Sequence, residues 1–191
     1  MATIKSDHKI GFMGIGDVGC AVVTRFARTH TLHQRCILIN SLDVPFSAMD
    51  PEPLQKFLTI LIDLRDPQAR ESSIQQYVAD LDTVIMVSAM GGRTGSLLVP
   101  LIANMIKNSG VQVSILVTTP FSFEGKKTKN RAFEGISKLH NQAHDVLTLS
   151  NESRLDLMDQ NISIAEAYLQ MDLKMGRGIE LLMQLGEKTG S

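Results

Sequence analysis

The chain has 191 residues, of which 43% are hydrophobic and 20% charged, and its formal net charge is −1. This length suits one well-buried core, so we expect a single domain over residues 1–191. The near-neutral charge argues against nucleic-acid binding, and apolar runs well short of about 18 residues argue against membrane insertion. Only two cysteines occur, Cys20 and Cys36, both within apolar segments. This predicts a cytoplasmic protein with two buried thiols rather than a disulfide or a metal site.

Short apolar runs alternate with segments of helical periodicity along the chain. Strands are predicted at residues 8–13, 36–40, 57–64, 83–89, 111–118 and 146–149. Helices are predicted at residues 20–30, 70–81, 97–108, 126–139 and 162–185. The alternation predicts an α/β fold: a Rossmann-like, doubly wound parallel sheet with helices on both faces. In such sheets the ligand crevice lies at the carboxyl ends of the strands.

The first predicted strand runs directly into a glycine loop, GIGDVG at residues 14–19. This is a formal G-x-G-x-x-G between strand and helix, which could hold a dinucleotide pyrophosphate, although the pattern alone is a weak signal. The residue closing the second strand is Asn40, where a Rossmann dehydrogenase has a carboxylate that binds the ribose hydroxyls of NAD. An NAD-dependent oxidoreductase is therefore disfavoured.

A second glycine loop, GGRTGS at residues 91–96, follows the most apolar strand and opens a helix. Gly91, Gly92 and Gly95 allow left-handed backbone and close approach of a ligand, while Thr94 and Ser96 supply hydroxyl groups near the positive end of a helix. Phosphate is the natural ligand of such a loop. The alternative is an ordinary strand-to-helix turn that Thr94 or Ser96 caps.

Further polar residues follow the later strands. Glu124 lies in the turn after the fifth strand, and Asn151 follows the sixth. Because these ends and both glycine loops meet at one edge of a parallel sheet, they favour a nucleotide or phosphate site. On the last helix, Tyr168 and Asp172 are four residues apart and share a face. They are either a core tyrosine beside a solvated aspartate, or an aromatic that stacks on a base whose edge Asp172 binds.

Together these stretches resemble the nucleotide-binding domain of the bacterial tubulin homologue FtsZ. The loop at residues 91–96 is similar to the tubulin/FtsZ signature loop, and TPFSFEGKK at residues 119–127 with EGI at 134–136 is similar to the FtsZ segment that carries a ribose-contacting glutamate. The resemblance implies GTP or GDP as ligand, with Mg²⁺ left open. It implies contacts of the two glycine loops with phosphates, of Glu124 and Asn151 with ribose and base, and of Tyr168 and Asp172 with guanine.

The candidate nucleotide-binding residues lie in the two loops, at the strand ends and on the last helix. They are Gly14, Gly16, Asp17, Gly19, Asn40, Gly91, Gly92, Arg93, Thr94, Gly95, Ser96, Glu124, Asn151, Tyr168 and Asp172. No catalytic residue and no metal ligand is assigned.

The chain also departs from the FtsZ pattern. Asp17 puts a carboxylate near the phosphates, Leu42 stands where the family has aspartate, and Arg93 replaces a glycine of the signature loop. Thr128 replaces an arginine that holds the nucleotide, and Arg131, one helical turn later, is a candidate substitute. These changes leave a degenerate scaffold that binds or caps FtsZ-like filaments as the alternative to a nucleotide-binding module.

In FtsZ a second domain follows the central helix, and the connecting loop completes the active site of the neighbouring subunit. Here the helix at about residues 162–185 is expected to end the domain, close to Ser191. We therefore expect an assembly or regulatory module of a cytoskeletal or cell-division system with little or no autonomous GTP hydrolysis. The apolar stripe of that helix, which includes Leu181, Met183 and Leu185, predicts a homo-oligomer or an FtsZ/tubulin-like partner.

Overall fold

A computed structural model of the protein describes residues 8–32, 35–44, 46, 56–151 and 164–189. Six strands form one sheet: β1 (Ile10–Ile15), β2 (Cys36–Ser41), β3 (Leu58–Ile62), β4 (Thr83–Ala89), β5 (Gln112–Thr118) and β6 (Asp145–Leu149). Five helices accompany them in the described part: α1 (Gly16–His30), α2 (Glu71–Val78), α3 (Arg93–Asn108), α4 (Lys126–Leu139) and α5 (Ile164–Thr189). Short 3₁₀ turns span Pro67–Arg70 and Ser122–Glu124.

All five strand pairings are parallel, in the order β3-β2-β1-β4-β5-β6. The strands are almost wholly apolar because both faces of the sheet are covered. Buried residues from α1 and α5 form one core with one face, and residues from α2, α3 and α4 form a second core with the other. The predicted fold class, a doubly wound parallel sheet with helices on both faces, is confirmed.

The strand order reverses between β1 and β4, so the chain winds outward from this central pair in both directions. The connections that leave β1 and β4 run to opposite faces of the sheet, to α1 and α3, and a crevice opens between them. Both glycine loops lie at this switch point. The fold therefore brings together two motifs that are more than seventy residues apart in the sequence.

Two helices begin earlier than the sequence pattern predicts. The first begins at Gly16 instead of residue 20, because Gly16 adopts a φ of 72° and turns the chain directly from β1 into the helix. The third begins at Arg93 instead of residue 97. In both cases the last four residues of the glycine loop form the first helical turn, so backbone N–H groups of each loop lie at a helix N-terminus.

The second helix is shorter than predicted, Glu71–Val78 against residues 70–81, and the 3₁₀ turn at Pro67–Arg70 directly precedes it. The last helix extends to Thr189, beyond the predicted end at residue 185. Its predicted start at residue 162 lies outside the described residues. Within the described residues, no helix combines the length and the apolar character needed to cross a membrane.

Candidate functional site

A cleft of about 400 Å³ opens at the carboxyl ends of the central strands. Its volume lies within the range of roughly 300–1,000 Å³ that is typical of small-molecule sites. Nine of the predicted residues line it: Gly16, Asp17, Asn40, Gly92, Arg93, Thr94, Gly95, Glu124 and Asn151. The structure therefore places residues from five separate stretches of the chain around one cavity.

Two helices point their N-termini into this cleft. At the start of α1 and at the start of α3, the structure shows no side-chain cap: the flanking residues are Ile15 and Gly92. The first backbone N–H groups of a helix have no partner within the helix, and the helix dipole makes this end positive. Two such ends on one cleft form a site suited to an anion with several oxygen atoms.

The second glycine loop is held by one hydrogen bond within the loop and by another from a side chain outside it. The Gly91 N–H donates to Ser96 Oγ at 2.8 Å, and the Gly91 carbonyl accepts from Arg131 Nη1 at 3.0 Å. Arg131 lines a neighbouring groove with Leu97 and Glu134 rather than the cleft. Arg131, the candidate substitute for the missing arginine of FtsZ, thus holds the loop from its outer side.

Gly92 differs from the other glycines of this loop. Its φ and ψ of −69° and 159° are accessible to any residue, and a Cβ atom added there would meet no atom within 4 Å. Neither backbone strain nor packing requires glycine at this position. The open space in front of Gly92 is part of the cleft, so glycine there keeps the backbone accessible to a ligand.

The Asp17 side chain is held by a buried amide. Asn40 Nδ2 donates to Asp17 Oδ1 at 2.7 Å, and Asn40 Oδ1 accepts from the Ser41 N–H at 2.9 Å. Arg93 extends to the surface, where its guanidinium lies 3.6 Å from Asp43 with both side chains largely exposed. Asp17 and Arg93 therefore line the cleft without filling it.

The other end of the cleft is formed by Glu124, Asn151 and the end of β5. Glu124 Oε1 accepts from the Phe121 N–H at 2.8 Å, which fixes the turn, and Asn151 is 9% exposed. Thr118 is fully buried, lines the cleft, and its hydroxyl oxygen has no hydrogen-bond partner among the described residues. A buried hydroxyl without a partner needs an explanation, and at the wall of a cleft a bound ligand or a water molecule would supply the partner.

Sequence reasoning missed Thr118, which lines the cleft, and Ser41, which is buried behind the wall and accepts a hydrogen bond from Thr94. Each is the last residue of a buried strand, Cys36–Ser41 or Gln112–Thr118. The argument from strand ends that selected Asn40 applies equally to them. The sequence does not single them out, because a hydroxyl residue within an apolar run is common in strands and is not part of a recognisable motif.

Four predicted glycine-loop residues lie behind the wall of the cleft. These are Gly14, Gly19, Gly91 and Ser96, which are buried and do not line the cavity. A Cβ atom on Gly14 would lie 2.7 Å from the Gly19 carbonyl oxygen, so the packing of α1 on the sheet already requires glycine there. The Cys20 thiol lies in the same layer and donates to the Gly14 carbonyl at 3.3 Å; burial raises the pKa of this thiol, which stays neutral.

Of the two predicted residues of the last helix, Asp172 lies apart from the cleft lining. Asp172 accepts from Arg25 Nη1 at 2.7 Å and lines a groove between α1 and α5. The side chain of Tyr168 lies outside the described residues. The residue of α5 that lines the cleft is Met171, and contacts of Tyr168 and Asp172 with guanine stay predictions.

The parallel sheet and the crevice at its switch point define a class: Rossmann-like α/β proteins with a ligand cleft at the strand ends. Within this class, the model of the Tubulin/FtsZ family, GTPase domain, matches residues 65–159. The match runs from the end of β3 to just beyond β6 and includes the loop at residues 91–96, Glu124 and Asn151. The chain belongs to the tubulin/FtsZ family.

Solved structures of this family share the fold. The empty FtsZ dimer of M. jannaschii matches with a TM-score of 0.77 at 22% identity, over 96% of this chain and 56% of that chain. GDP-bound CetZ1 of Haloferax volcanii matches with a TM-score of 0.74 at 19% identity, over 88% and 58%. The GDP complex of the phage tubulin PhuZ gives 0.72 at 14% identity, over 95% and 57%. The chain thus spans a little more than half the length of these proteins.

Proposed function

We propose that this protein is a guanine nucleotide-binding member of the tubulin/FtsZ family that acts in the cytoplasm as an assembly or regulatory module of a cytoskeletal or cell-division system. The observation that carries the proposal is the meeting of two uncapped helix N-termini in one cleft at the switch point between β1 and β4. GTP or GDP supplies the phosphate oxygens that would cap both helices. The GDP-bound relatives support guanine as the base.

In this proposal the phosphates lie between Gly16 and the Gly92–Gly95 turn, and the nucleoside extends toward Glu124 and Asn151. Thr118, whose buried hydroxyl has no partner among the described residues, contacts the ligand from the end of β5. Bound nucleotide would thereby satisfy the two groups of helix N–H donors and this hydroxyl at once. Of these groups, the Thr118 hydroxyl costs free energy in the free protein, because it is buried and unpaired among the described residues.

We further propose little autonomous GTP hydrolysis. Phosphoryl transfer depends mainly on positioning, which includes a group that orients the attacking water. Among the described residues, the carboxylates that line the cleft are Asp17 and Glu124, and each already accepts a hydrogen bond, from Asn40 and from the Phe121 N–H. A partner subunit that supplies the missing group would raise the rate. Phosphate release by the isolated protein at a rate typical of assembled FtsZ would refute this part of the proposal.

The partner in this proposal is a second copy of the chain or an FtsZ/tubulin-like protein. Three leucines on α5, Leu173, Leu181 and Leu185, are exposed to between 39% and 53%. Apolar side chains along one exposed helix are typical of an interaction surface. The similar solved structures include an FtsZ dimer and a PhuZ filament, and co-pelleting with FtsZ-like filaments of the same cell tests the second kind of partner.

One observation favours a second function, a scaffold that binds such filaments without nucleotide. Asp17 places a carboxylate in the first turn of α1, on the wall where the phosphates would lie. A carboxylate at a helix N-terminus is itself a favourable anion for that position. Under this alternative, GTP and GDP at millimolar concentration neither bind nor raise the unfolding temperature.

Substitution of Gly92 separates the two functions. Asp and Asn are both good N-cap residues, and the space around Gly92 is open, so Gly92→Asp and Gly92→Asn should leave the free protein folded and its stability nearly unchanged. If phosphates bind there, Gly92→Asp should weaken GDP binding by more than about tenfold through like-charge repulsion, and Gly92→Asn should weaken it far less. Equal nucleotide binding by both variants and the parent protein would place the ligand elsewhere.

A further inference from the structure

A second groove, of about 300 Å³, lies between α3 and α4 on the outer side of the loop at residues 91–96. Four cationic side chains from three stretches of the chain line it: Arg65, Arg93, Arg131 and Lys138. The one carboxylate among the described residues that line it is that of Glu134. An excess of three positive charges therefore lies in this groove, here called the basic groove, in a chain whose formal net charge is −1. Such a local excess is electrostatically complementary to an anionic partner.

The two cations that α4 contributes have no acidic partner in the described part of the chain. Arg131 is half-buried and donates through Nη1 to the Gly91 carbonyl at 3.0 Å, which leaves its other N–H groups without an acceptor among the described residues. Lys138 is exposed, and neither side chain forms an ion pair there. Because about two helical turns separate them, both lie on one side of α4, roughly 10 Å apart along its axis. A guanidinium and an ammonium at this spacing suit a segment with several carboxylates better than one small anion.

The other two cations of the basic groove pair with carboxylates that do not line it. Arg65 Nη2 lies 2.8 Å from Asp63 Oδ2, and Arg93 Nη2 lies 3.6 Å from Asp43 Oδ2. The Arg65 side chain is 90% exposed and that of Arg93 69%. Ion pairs at the protein surface contribute little to stability, so both arginines can turn to a carboxylate of a partner at little cost.

An apolar side chain and tight helix packing complete the basic groove. Leu97 lines it and is 46% exposed. A Cβ atom on Gly135 would lie 3.2 Å from the Ser96 carbonyl oxygen, so α3 and α4 are in close contact and hold the groove in a fixed shape. The exposed leucine and the Glu134 carboxylate are unfavourable to a nucleic-acid backbone, and a single leucine in a concave surface is too little to bind a membrane. A protein segment supplies carboxylates and an apolar side chain together.

We propose that the basic groove binds an acidic segment of a protein partner, whose carboxylates pair with Arg131 and Lys138 and whose apolar side chain contacts Leu97. The inference goes beyond the proposed nucleotide binding and does not depend on it. Arg131 and Lys138 supply the charge that selects the segment. Leu97 distinguishes an acidic protein segment from a polyanion without apolar groups.

Fluorescence anisotropy of a labelled peptide of glutamate and leucine, titrated with the full chain at low salt and without nucleotide, tests the inference. A peptide of about eight residues is roughly 26 Å long when extended, enough to reach both cations of α4. Lys138→Glu reverses one charge of the basic groove. Leu97→Asp is a second variant in case the first unfolds, because an aspartate is favourable near a helix N-terminus. Lys127→Glu is the matched control, because this exposed lysine lies on α4 outside the groove. Thermal unfolding of each variant shows that the fold is retained.

We expect the parent protein and Lys127→Glu to bind the peptide alike. Lys138→Glu should bind it at least about fivefold more weakly, because one unit charge at about 4 Å in a water-like medium changes affinity by roughly that factor. A peptide with glutamine in place of glutamate should not bind, and one with serine in place of leucine should bind more weakly. The inference is overturned if the folded parent protein does not bind the peptide, or if Lys138→Glu and Leu97→Asp both leave binding unchanged. Tighter binding of single-stranded DNA of equal charge, or of phosphatidylserine vesicles, through the same residues would also overturn it.

Discussion

Gly19 lies where α1 packs directly against the backbone of β4. A Cβ atom built on Gly19 would lie 2.1 Å from the carbonyl oxygen of Val87, 3.0 Å from the Val87 carbonyl carbon and 3.2 Å from Ser88 Cα. All three atoms belong to the backbone of β4, so no side-chain rotation can relieve the overlap. We predict that Gly19→Ala forces α1 away from β4 and destabilises the protein.

The magnitude follows from two opposing effects. Alanine in place of helical glycine stabilises by about 1 kcal/mol, whereas overpacking typically costs about 1–3 kcal/mol and more where backbone must shift. We expect a net loss of about 2 kcal/mol for Gly19→Ala. Gly176 in α5 is the matched control, because a Cβ atom there meets no atom within 4 Å, and Gly176→Ala should stabilise by up to about 1 kcal/mol.

Urea unfolding of the two variants and the parent protein measures this difference. The unfolding free energies of the two variants should change in opposite directions. In thermal unfolding of a chain of this size, about 1 kcal/mol corresponds to a change of roughly 2–4 °C in unfolding temperature. Displacement of α1 should also weaken GDP binding by Gly19→Ala, because the N-terminus of α1 forms one wall of the cleft. Equal stabilisation by both alanines would refute the close contact between α1 and β4.

Three further predictions concern other parts of the molecule. Ser88→Ala removes the buried hydrogen bond from Ser88 Oγ to the Ile15 carbonyl, 2.9 Å long, and should lower the unfolding free energy by about 1 kcal/mol in urea titrations. Burial raises the pKa of the Cys36 thiol from 9.0 to about 12, so the folded state holds its proton between these values and stability should fall as pH rises above 9. Urea titrations at pH 8 and pH 10 should show a smaller fall for Cys36→Ala than for the parent, and an equal fall would contradict the thiol's contribution. Leu181→Asp combined with Leu185→Asp should lower self-association in light scattering at high concentration without loss of GDP binding, and unchanged association would exclude this surface.

The sequence predicts best those elements whose ends are marked by local chemistry. The bounds of β4 and α4 agree with the structure to the residue, Thr83–Ala89 and Lys126–Leu139, because an apolar run and a preceding glycine mark them. The sequence pattern places the starts of α1 and α3 four residues late, since periodicity is measured from apolar side chains and the two glycine loops carry few of them. The first turns, which carry the two uncapped N-termini, are therefore the part of each helix that the sequence pattern does not predict.

The candidate site was predicted where strand ends carry polar residues outside an apolar run, as at Asn40, Glu124 and Asn151. Contacts between distant helices could not be predicted in this way. Asp172 and Arg25 form an ion pair across 147 residues of sequence, because α1 and α5 pack side by side on one face of the sheet. No local pattern encodes that approach, and the same holds for the bond between Asn40 and Asp17.

The most direct test of a guanine nucleotide in the cleft is calorimetric titration of the purified chain with GDP and GTP in Mg²⁺, repeated with Gly92→Asp. We expect saturable binding of one nucleotide per chain, lost or greatly weakened in that variant. Nucleotide at one hundred times its dissociation constant should also raise the unfolding free energy by about 2.7 kcal/mol. An absence of binding heat and of stabilisation at millimolar nucleotide, in a protein that is folded, would contradict it.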